Sequence, residues 1–499
     1  MRSMFFWMML LGAVSTGWAQ PPQARWLHLY GGVRNEYANS VIQTADGGFL
    51  IAGSSDTLVY VDSLGDVVCG SAYFVRTDSL GNTLWTRVDS GEGLANAWTV
   101  KRLSNQGFVA LGSTGVLRHD GDLFLVRMDG SGNRLWTRAI GTPDSAEAGY
   151  GLDVCRDGGF ILAGSIGHGD FSTQGFIVKT DSLGNTQWRL NIGDPSYSPF
   201  WDVRQTSDGG YVAAGGGKVE LNHPAAHVVK LDSTGRLEWE GYYEHGPAAM
   251  QDEAYAVCEM REGGYVIGGD TYSFAGRTDF FVVRTTADGD TLWTTTFRLD
   301  TVQIRTDWEE VHAVFERPNG NIAVAGLVEF EDATGHADPG SVVAELDPSG
   351  HVLWRALYGF DSLETYGATL TSDGGMALTG IGYSSGANLG DQVGLLRLSP
   401  LDFPSASTPP PEVPASLSLA SFPNPFNSNL RIEYSLPRTQ NIELTISNVL
   451  GQKVATLSSG NTPAGKHSVL WSPQCGTGVF FVTLKTPSGV RTAKVLYLK

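Results

Sequence analysis

Four cysteines in 499 residues, at Cys69, Cys155, Cys258 and Cys475, are too few and too scattered for a disulfide-stapled framework. Neither a CxxC nor an HExxH pattern occurs, so nothing in the sequence marks a zinc site, and no cofactor is expected. Charge is scarce at 17%, against a usual share of roughly 25%. Basic residues are scarcer still: 34 Lys+Arg face 52 Asp+Glu, a net of −18 with a pI near 4.9. A chain this acidic lacks the cationic face that nucleic acid or an anionic membrane requires. No apolar run reaches the roughly 20 residues of a transmembrane span. The 41% hydrophobic content nevertheless supplies a core, which excludes disorder for most of the chain.

What the chain has in excess is glycine, 63 residues, together with 10% aromatics. That composition favours many short strands joined by tight turns. At the N-terminus Arg2 precedes an apolar run from Met4 to Val14, and the small residues Gly17 and Ala19 follow. The pattern predicts a secretory signal peptide over 1–19, leaving a mature chain without a transmembrane segment.

A phrase then recurs: TADGGFLIAG, LSNQGFVALG, CRDGGFILAG, TSDGGYVAAG, MREGGYVIGG, RPNGNIAVAG and TSDGGMALTG. Its turn glycines, Gly48, Gly107, Gly159, Gly210, Gly264, Gly320 and Gly375, fall 51 to 59 residues apart. A second phrase of the type FVRTDSLGNTLW follows six of the copies and ends on Trp85, Trp136, Trp188, Trp239, Trp293 and Trp354. Four strands of five or six residues fill one such period, the size of a propeller blade. In the first unit they are read as SVIQT, GFLIAG, AYFVRT and TLWTRV, with the Asp-Gly pair reversing the chain in a two-residue hairpin. The last unit has no tryptophan strand, whereas Trp26 near the N-terminus has no unit before it. Residues 20–400 are therefore expected to form an all-β, seven-bladed β-propeller closed by the Trp26 strand. The alternative is an open array of β units.

Residues 401–416 hold five prolines and read as an extended linker. Beyond them the charge reverses: residues 417–499 contain eight Lys/Arg and two Asp/Glu, a net of +6, which leaves −24 for the rest. Segments such as LRIEYSL, IELTISNV and GVFFVTLK alternate with a period of two and predict a small β-sandwich. The ordered set SFPNPFNSNLRIEYSLP, ISNVLGQKVATL, PAGKHSVLW, GTGVFFVTLK and VLYLK resembles the C-terminal sorting domain of the type IX (Por) secretion system. Pro423, Asn424, Pro425, Gly451, Gly465, Gly478 and Lys499 match that family's pattern. The resemblance implies an immunoglobulin-like domain, type IX secretion machinery as partner, and passage through the periplasm to the cell surface or the extracellular space.

Other motifs carry less. The DSLGNTLW phrases are similar to the Asp-box of sialidase-type propellers, but the tryptophan comes one residue late and Thr286 replaces the aspartate in one copy. Asp78, Asp129, Asp181, Asp232 and Asp347 are better explained as turn residues accepting backbone N–H bonds. The GxSxG match at Gly382–Gly386 has no following helix pattern and reads as coincidence. The acidic groups Asp307, Glu309, Glu310 and Glu329, Glu331, Asp332, Asp338 read as a solvated face. Nine residues before the turn glycines stand Trp98, Tyr150, Trp201, Tyr255 and Tyr366, with Asn39 and Val311 completing the series. These five aromatics are the candidate ligand-binding residues, for a glycan or a peptide at one mouth of a central channel. Their other reading is packing between neighbouring blades. The sequence thus points to a secreted or cell-surface, non-enzymatic binding or adhesion protein. A secreted glycan-active hydrolase with its site at the channel mouth is the alternative.

Overall fold

The computed structural model describes residues 21–400 and 417–498, apart from 62–66, 90–93, 115–122, 143–145, 168–172, 221–222, 246–251, 275–276, 300–304, 332–336, 360–361, 384–389, 423, 425, 427–429, 437–439, 463–464, 474–475 and 488. The signal peptide over 1–19, the linker over 401–416, Pro423, Pro425 and Lys499 lie outside the described residues. So do Ser384, Ser385 and Gly386 of the GxSxG match. The chain divides into two compact units, residues 1–402 and 403–499. No described helix is long and apolar enough to cross a membrane.

The first unit is all-β and propeller-like. Among the described residues it holds seven four-stranded antiparallel sheets. The first contains, in chain order, Glu36–Gln43, Phe49–Val61, Val67–Thr77 and Thr83–Asp89. Five sheets built the same way follow, their first strands being Leu94–Arg102, Ala146–Val154, Phe200–Gln205, Asp252–Glu259 and Arg305–Glu316. The seventh takes Leu363–Leu370, Met376–Gly382 and Gln392–Leu398, and its fourth strand is Ala24–Tyr30 from the N-terminus. That strand runs antiparallel to Gln392–Leu398, with Trp26 opposite Arg397 and Tyr30 opposite Val393.

A sheet with two apolar faces must bury both. Here each face is buried by the neighbouring sheet. Phe74 of the first sheet shares a core with Phe108, Phe124 and Val126 of the second. Phe280 and Phe297 of the fifth share one with Val311 and Val342 of the sixth. A further cluster joins Phe49, Ile51 and Val75 of the first sheet to Val393 and Leu395 of the seventh.

The recurring phrases are turn chemistry, with one correction. The hairpin after each first strand is not a two-residue turn. Thr44 N–H donates to Gly48 O and Gly47 N–H to Thr44 O, which closes a three-residue loop. The left-handed residue is therefore Gly47, at φ +82°, rather than Gly48. A three-residue hairpin needs its third loop residue in that region, which is glycine's role. Beneath this loop a cation on the third strand meets the loop aspartate: Lys179 Nζ lies 2.7 Å from Asp157, and Lys230 Nζ 2.8 Å from Asp208. The turns between third and fourth strands use their aspartates as the sequence suggested. Asp78 Oδ1 accepts N–H bonds from Leu80 at 2.8 Å and Asn82 at 2.9 Å, and Asp181 does the same for Leu183 and Asn185.

The second unit is a pair of sheets around one core. Ser418–Phe422, Leu430–Leu436 and Gly465–Trp471 form one; Lys453–Thr462, Gln440–Asn448, Gly478–Thr486 and Gly489–Tyr497 form the other. Alternate residues of each strand turn inward, so Leu430, Ile432 and Tyr434 meet Leu444, Ile446, Val482 and Val495.

Candidate functional site

Each of the seven first strands slips by one residue against its neighbour. The shifts fall between Ala38 and Ser40, Ala97 and Thr99, Gly149 and Gly151, Phe200 and Asp202, Ala254 and Ala256, Val311 and Ala313, and Thr365 and Gly367. The residue left over is a β-bulge, which re-aims its side chain. The seven bulge residues are Asn39, Trp98, Tyr150, Trp201, Tyr255, His312 and Tyr366. The second strand makes room for them with glycine. A Cβ on Gly269 would stand 1.7 Å from Glu253 O, and one on Gly326 would stand 1.8 Å from Glu310 O.

All five sequence-nominated aromatics therefore occupy equivalent bulges. The sixth position is corrected from Val311 to His312. In that copy Gly320 is the left-handed loop residue, at φ +83°, so the position equivalent to Gly48 is Asn321. Nine residues before Asn321 is His312 (321 − 9 = 312). Val311 instead lies fully buried in the core between the fifth and sixth sheets.

The six rings form one continuous arc. Centroid separations are 5.2 Å for Trp98–Tyr150, 4.4 Å for Tyr150–Trp201 and 6.0 Å for Trp201–Tyr255. They are 5.0 Å for Tyr255–His312 and 5.3 Å for His312–Tyr366. Asn39 adjoins the Trp98 end, its Nδ2 donating to Asn96 Oδ1 at 2.9 Å and Ala97 O at 3.1 Å. Aromatic pairs in such contact add roughly 0.5–1.5 kcal/mol each beyond area burial. Every ring stays half-buried, so each keeps a face or edge for solvent.

Carboxyl groups line one sector of the arc. Two residues before the bulges of the last three sheets stand Glu253, Glu310 and Glu364. Glu310 Oε2 lies 2.7 Å from His312 Nε2, while its Oε1 accepts from Trp308 Nε1 and, at 3.4 Å, from Tyr255 Oη. Burial would raise the Glu310 carboxyl, but the hydrogen bonds and charge of His312, with Trp308 and Tyr255, hold it below its ordinary value. Glu253 accepts from Tyr197 Oη. Burial pushes it up to about 7; the Glu310 charge adds to this, and a Tyr255 hydrogen bond opposes it. Asp270, opposite Glu253 on the second strand, is raised well above the carboxylate range by burial and by the charges of Glu310, Glu253 and Asp252. Glu364 accepts from Tyr366 Oη, and from Tyr383 Oη at 2.7 Å.

This sector corrects the reading of a solvated acidic face. Glu309 is fully buried, with Oε1 accepting from Leu299 N–H at 2.9 Å, and Glu310 is only 7% exposed. The side chains of Asp307, Glu331, Asp332 and Asp338 lie outside the described residues. Glu253, Asp270, Glu364 and His312 were missed by sequence reasoning. A usable signal existed, since an acid recurs at one offset from the bulge in three consecutive repeats. Among the described residues no cluster of three or more His, Cys, Asp or Glu could hold a metal ion. Cys155 is buried and Cys258 half-buried, both as free thiols. A cavity of about 360 Å³ lined by Ile42, Gln43, Arg102, Thr369 and Leu370 lies three or more residues further along the first strands, away from the arc.

In the second unit Asn424 ties the segment before Leu430 to the last strand. Its Nδ2 donates to Lys494 O at 2.9 Å and its Oδ1 accepts from Leu496 N–H at 2.8 Å. Gly451 takes φ +77° in the turn after Asn448, while Gly465 and Gly478 open strands.

Residues 420–497 match the family described as the secretion system C-terminal sorting domain. The match covers the tail alone. It implies interaction with the type IX secretion machinery and export to the cell surface or the extracellular space. Comparison with curated proteins finds no match. Among solved structures, a subtype N10 neuraminidase-like protein of A/little yellow-shouldered bat/Guatemala/060/2010 is 10% identical over 59% of this chain and 92% of its own, with a TM-score of 0.36.

Proposed function

We propose that this chain is a non-enzymatic binding or adhesion protein, displayed on the cell surface or released from it. Its seven sheets form a seven-bladed propeller closed by the strand Ala24–Tyr30. The arc of bulge residues circles one mouth of the channel and receives a glycan or peptide. Residues 1–19 serve as a cleaved signal peptide, and the tail is an immunoglobulin-like sandwich. The observation that carries the ligand reading is the continuity of the arc: six half-buried rings from consecutive sheets, bordered by carboxyl acceptors. Amphipathic rings beside convergent polar groups suit such ligands. A glycan and peptide array with the secreted full-length protein tests this. At least one ligand class should bind, and Trp201→Ala should weaken it about tenfold or more. Unchanged binding in a folded Trp201→Ala variant would leave the arc a packing device only.

One observation favours a hydrolase as the second reading. Glu253 is pushed up to about 7 while Glu310 is held low, and carboxyl pairs separated in this way divide acid and base roles. Turnover of a glycan panel that vanishes in Glu253→Gln would establish that reading over the first.

A further inference from the structure

The carboxyl sector contains a deeply buried acid, one of whose oxygens is left without a hydrogen bond. Asp270 is 3% exposed, and its Oδ1 has no hydrogen-bond partner among the described residues. On its strand it shares a face with Gly268, where a Cβ would meet Val311 and Val314 of the sixth sheet at 2.6 and 2.5 Å. The Asp270 carboxyl therefore points across the sheet boundary, toward the side from which Glu310 comes. The strongest charges acting on it are those of Glu310 and Glu253, which border the arc, and of Asp252 on its own sheet, all of them acids. Glu253 feels Glu310 in the same way. Tyr255 and His312, which both contact Glu310, stack on each other with 5.0 Å between centroids. Trp308, donating to Glu310, is 47% exposed and marks where the sector meets solvent.

We propose that this sector, within the ligand site proposed above, binds a cationic alkylammonium or guanidinium group, as carried by a lysine- or arginine-containing peptide. Buried acids lacking a counter-charge protonate rather than ionise. A cation repays their ionisation, and the ring faces of Tyr255 and Trp201 add a cation–π term that a neutral sugar cannot use. Binding then displaces protons from Glu253 and Asp270, so affinity rises with pH. The groups facing the cation are Glu253 and Tyr255 on the first strand of the fifth sheet, and Asp270 on the second. From the sixth sheet come Glu310 and His312, and Tyr197 approaches ahead of the fourth sheet's first strand.

The test uses the secreted full-length protein with a labelled hexalysine peptide, a hexaglutamine peptide, spermidine and a neutral hexasaccharide, titrated at pH 6, 7 and 8 in 150 mM salt. The expected result is preference for hexalysine over hexaglutamine by tenfold or more, with affinity rising across that pH range. Asp270→Asn should reduce it at least fivefold, whereas Asp288→Asn, the same loss of charge at an exposed turn, should leave it unchanged. Asn replaces a protonated acid, so the variant keeps its fold, which circular dichroism verifies. Spermidine competing as well as the peptide would also support the inference and assign the cation to a free polyamine. A hexasaccharide that binds and is lost in Trp201→Ala, with no cation preference, would overturn the inference and leave the arc as a ligand site. Equal effects of Asp270→Asn and Asp288→Asn would overturn it as non-specific attraction to an acidic surface. Binding of none of the four probes would overturn the inference together with the ligand reading beneath it.

Discussion

Trp26 lays its indole over Gly81, so that a Cβ on Gly81 would stand 3.0 Å from the Trp26 ring. The N-terminal strand thus reaches the first sheet's own turn while pairing with the last strand of the seventh. The contact repeats along the unit: Trp85 on Gly132 at 2.5 Å, Trp188 on Gly235 at 2.8 Å and Trp293 on Gly350 at 2.7 Å. Six tryptophans of outer strands, from Trp26 to Trp293, cover the left-handed glycine of the next sheet in this way, whereas Trp354 faces a sheet without that turn. The two recurring phrases therefore meet in space, and each conditions the other.

Gly132→Ala follows directly from that contact. Alanine at φ +79° costs about 1–2 kcal/mol, and its Cβ must also displace the Trp85 ring. The expected total is about 2–3 kcal/mol. In a Trp85→Ala background only the backbone part remains. A double-mutant cycle on thermal or denaturant unfolding measures the difference; equal costs in both backgrounds would show that the ring and the glycine do not interact.

Gly326→Ala tests the bulge. A Cβ there would meet Glu310 O at 1.8 Å, a backbone atom that cannot rotate away. The strand carrying Glu310 and His312 must shift, at about 1–3 kcal/mol. Ligand binding should fall together with stability. Gly209→Ala strains a left-handed loop glycine with nothing within 4 Å of the new Cβ, so it should lower stability while sparing binding.

The turn phrases were legible because a left-handed residue favours glycine at a fixed place in the first hairpin of six units, Gln106 taking that place in the second. The tryptophans were legible through their strict offset from those turns. Counting strands from both ends was enough to pair Trp26 with the last sheet. The acidic sector was not legible, because Glu253 and Glu310 stand 57 residues apart and meet only when neighbouring sheets pack. Glu310 also sits in a locally acidic stretch that looks solvated until a bulge reorients its neighbour His312. The Gly-Asn pair at Gly320 and Asn321 hid that histidine, since the final residue of the turn is not always glycine. In the tail, Pro423, Asn424 and Pro425 were visible as a motif, but the two hydrogen bonds from Asn424 depend on a strand some seventy residues later.

His227 gives the unit an acid-sensitive point. It is fully buried, stacked on Tyr242 at 4.5 Å, and neither ring nitrogen has a hydrogen-bond partner among the described residues. Glu240 lies 3.5 Å from Nε2, without hydrogen-bond geometry. Burial lowers the imidazole from 6.5 to about 4. Between those values the unfolded chain binds the proton and the folded one does not, so this group's contribution is lost as pH falls from 6.5 to about 4. The full loss is about 3 kcal/mol. His227→Phe should flatten the stability profile in that window relative to the parent, as measured by unfolding at pH 4 to 7. Parallel profiles would mean that the imidazole becomes protonated without cost.

Asn424→Ala bears on export. The side chain donates to Lys494 O and accepts from Leu496 N–H, and Phe426 N–H donates to Leu496 O at 3.0 Å just beyond it. Together these bonds hold the segment before Leu430 to the final strand, closing the edge of the larger sheet. Alanine leaves one donor and one acceptor to solvent, at about 1–2 kcal/mol since the site is exposed. Asp could keep the accepted bond but cannot donate to Lys494 O, so Asn424→Asp should be intermediate. If the sorting machinery reads the folded tail, surface and medium fractions should fall in the order Asn, Asp, Ala, with the missing protein in the periplasm. Deletion of 417–499 gives the limiting case of full retention. Fractionation with immunoblotting measures all four chains. Normal export of Asn424→Ala from a tail shown to be destabilised would mean that the machinery reads linear sequence, and that these two bonds serve only the fold.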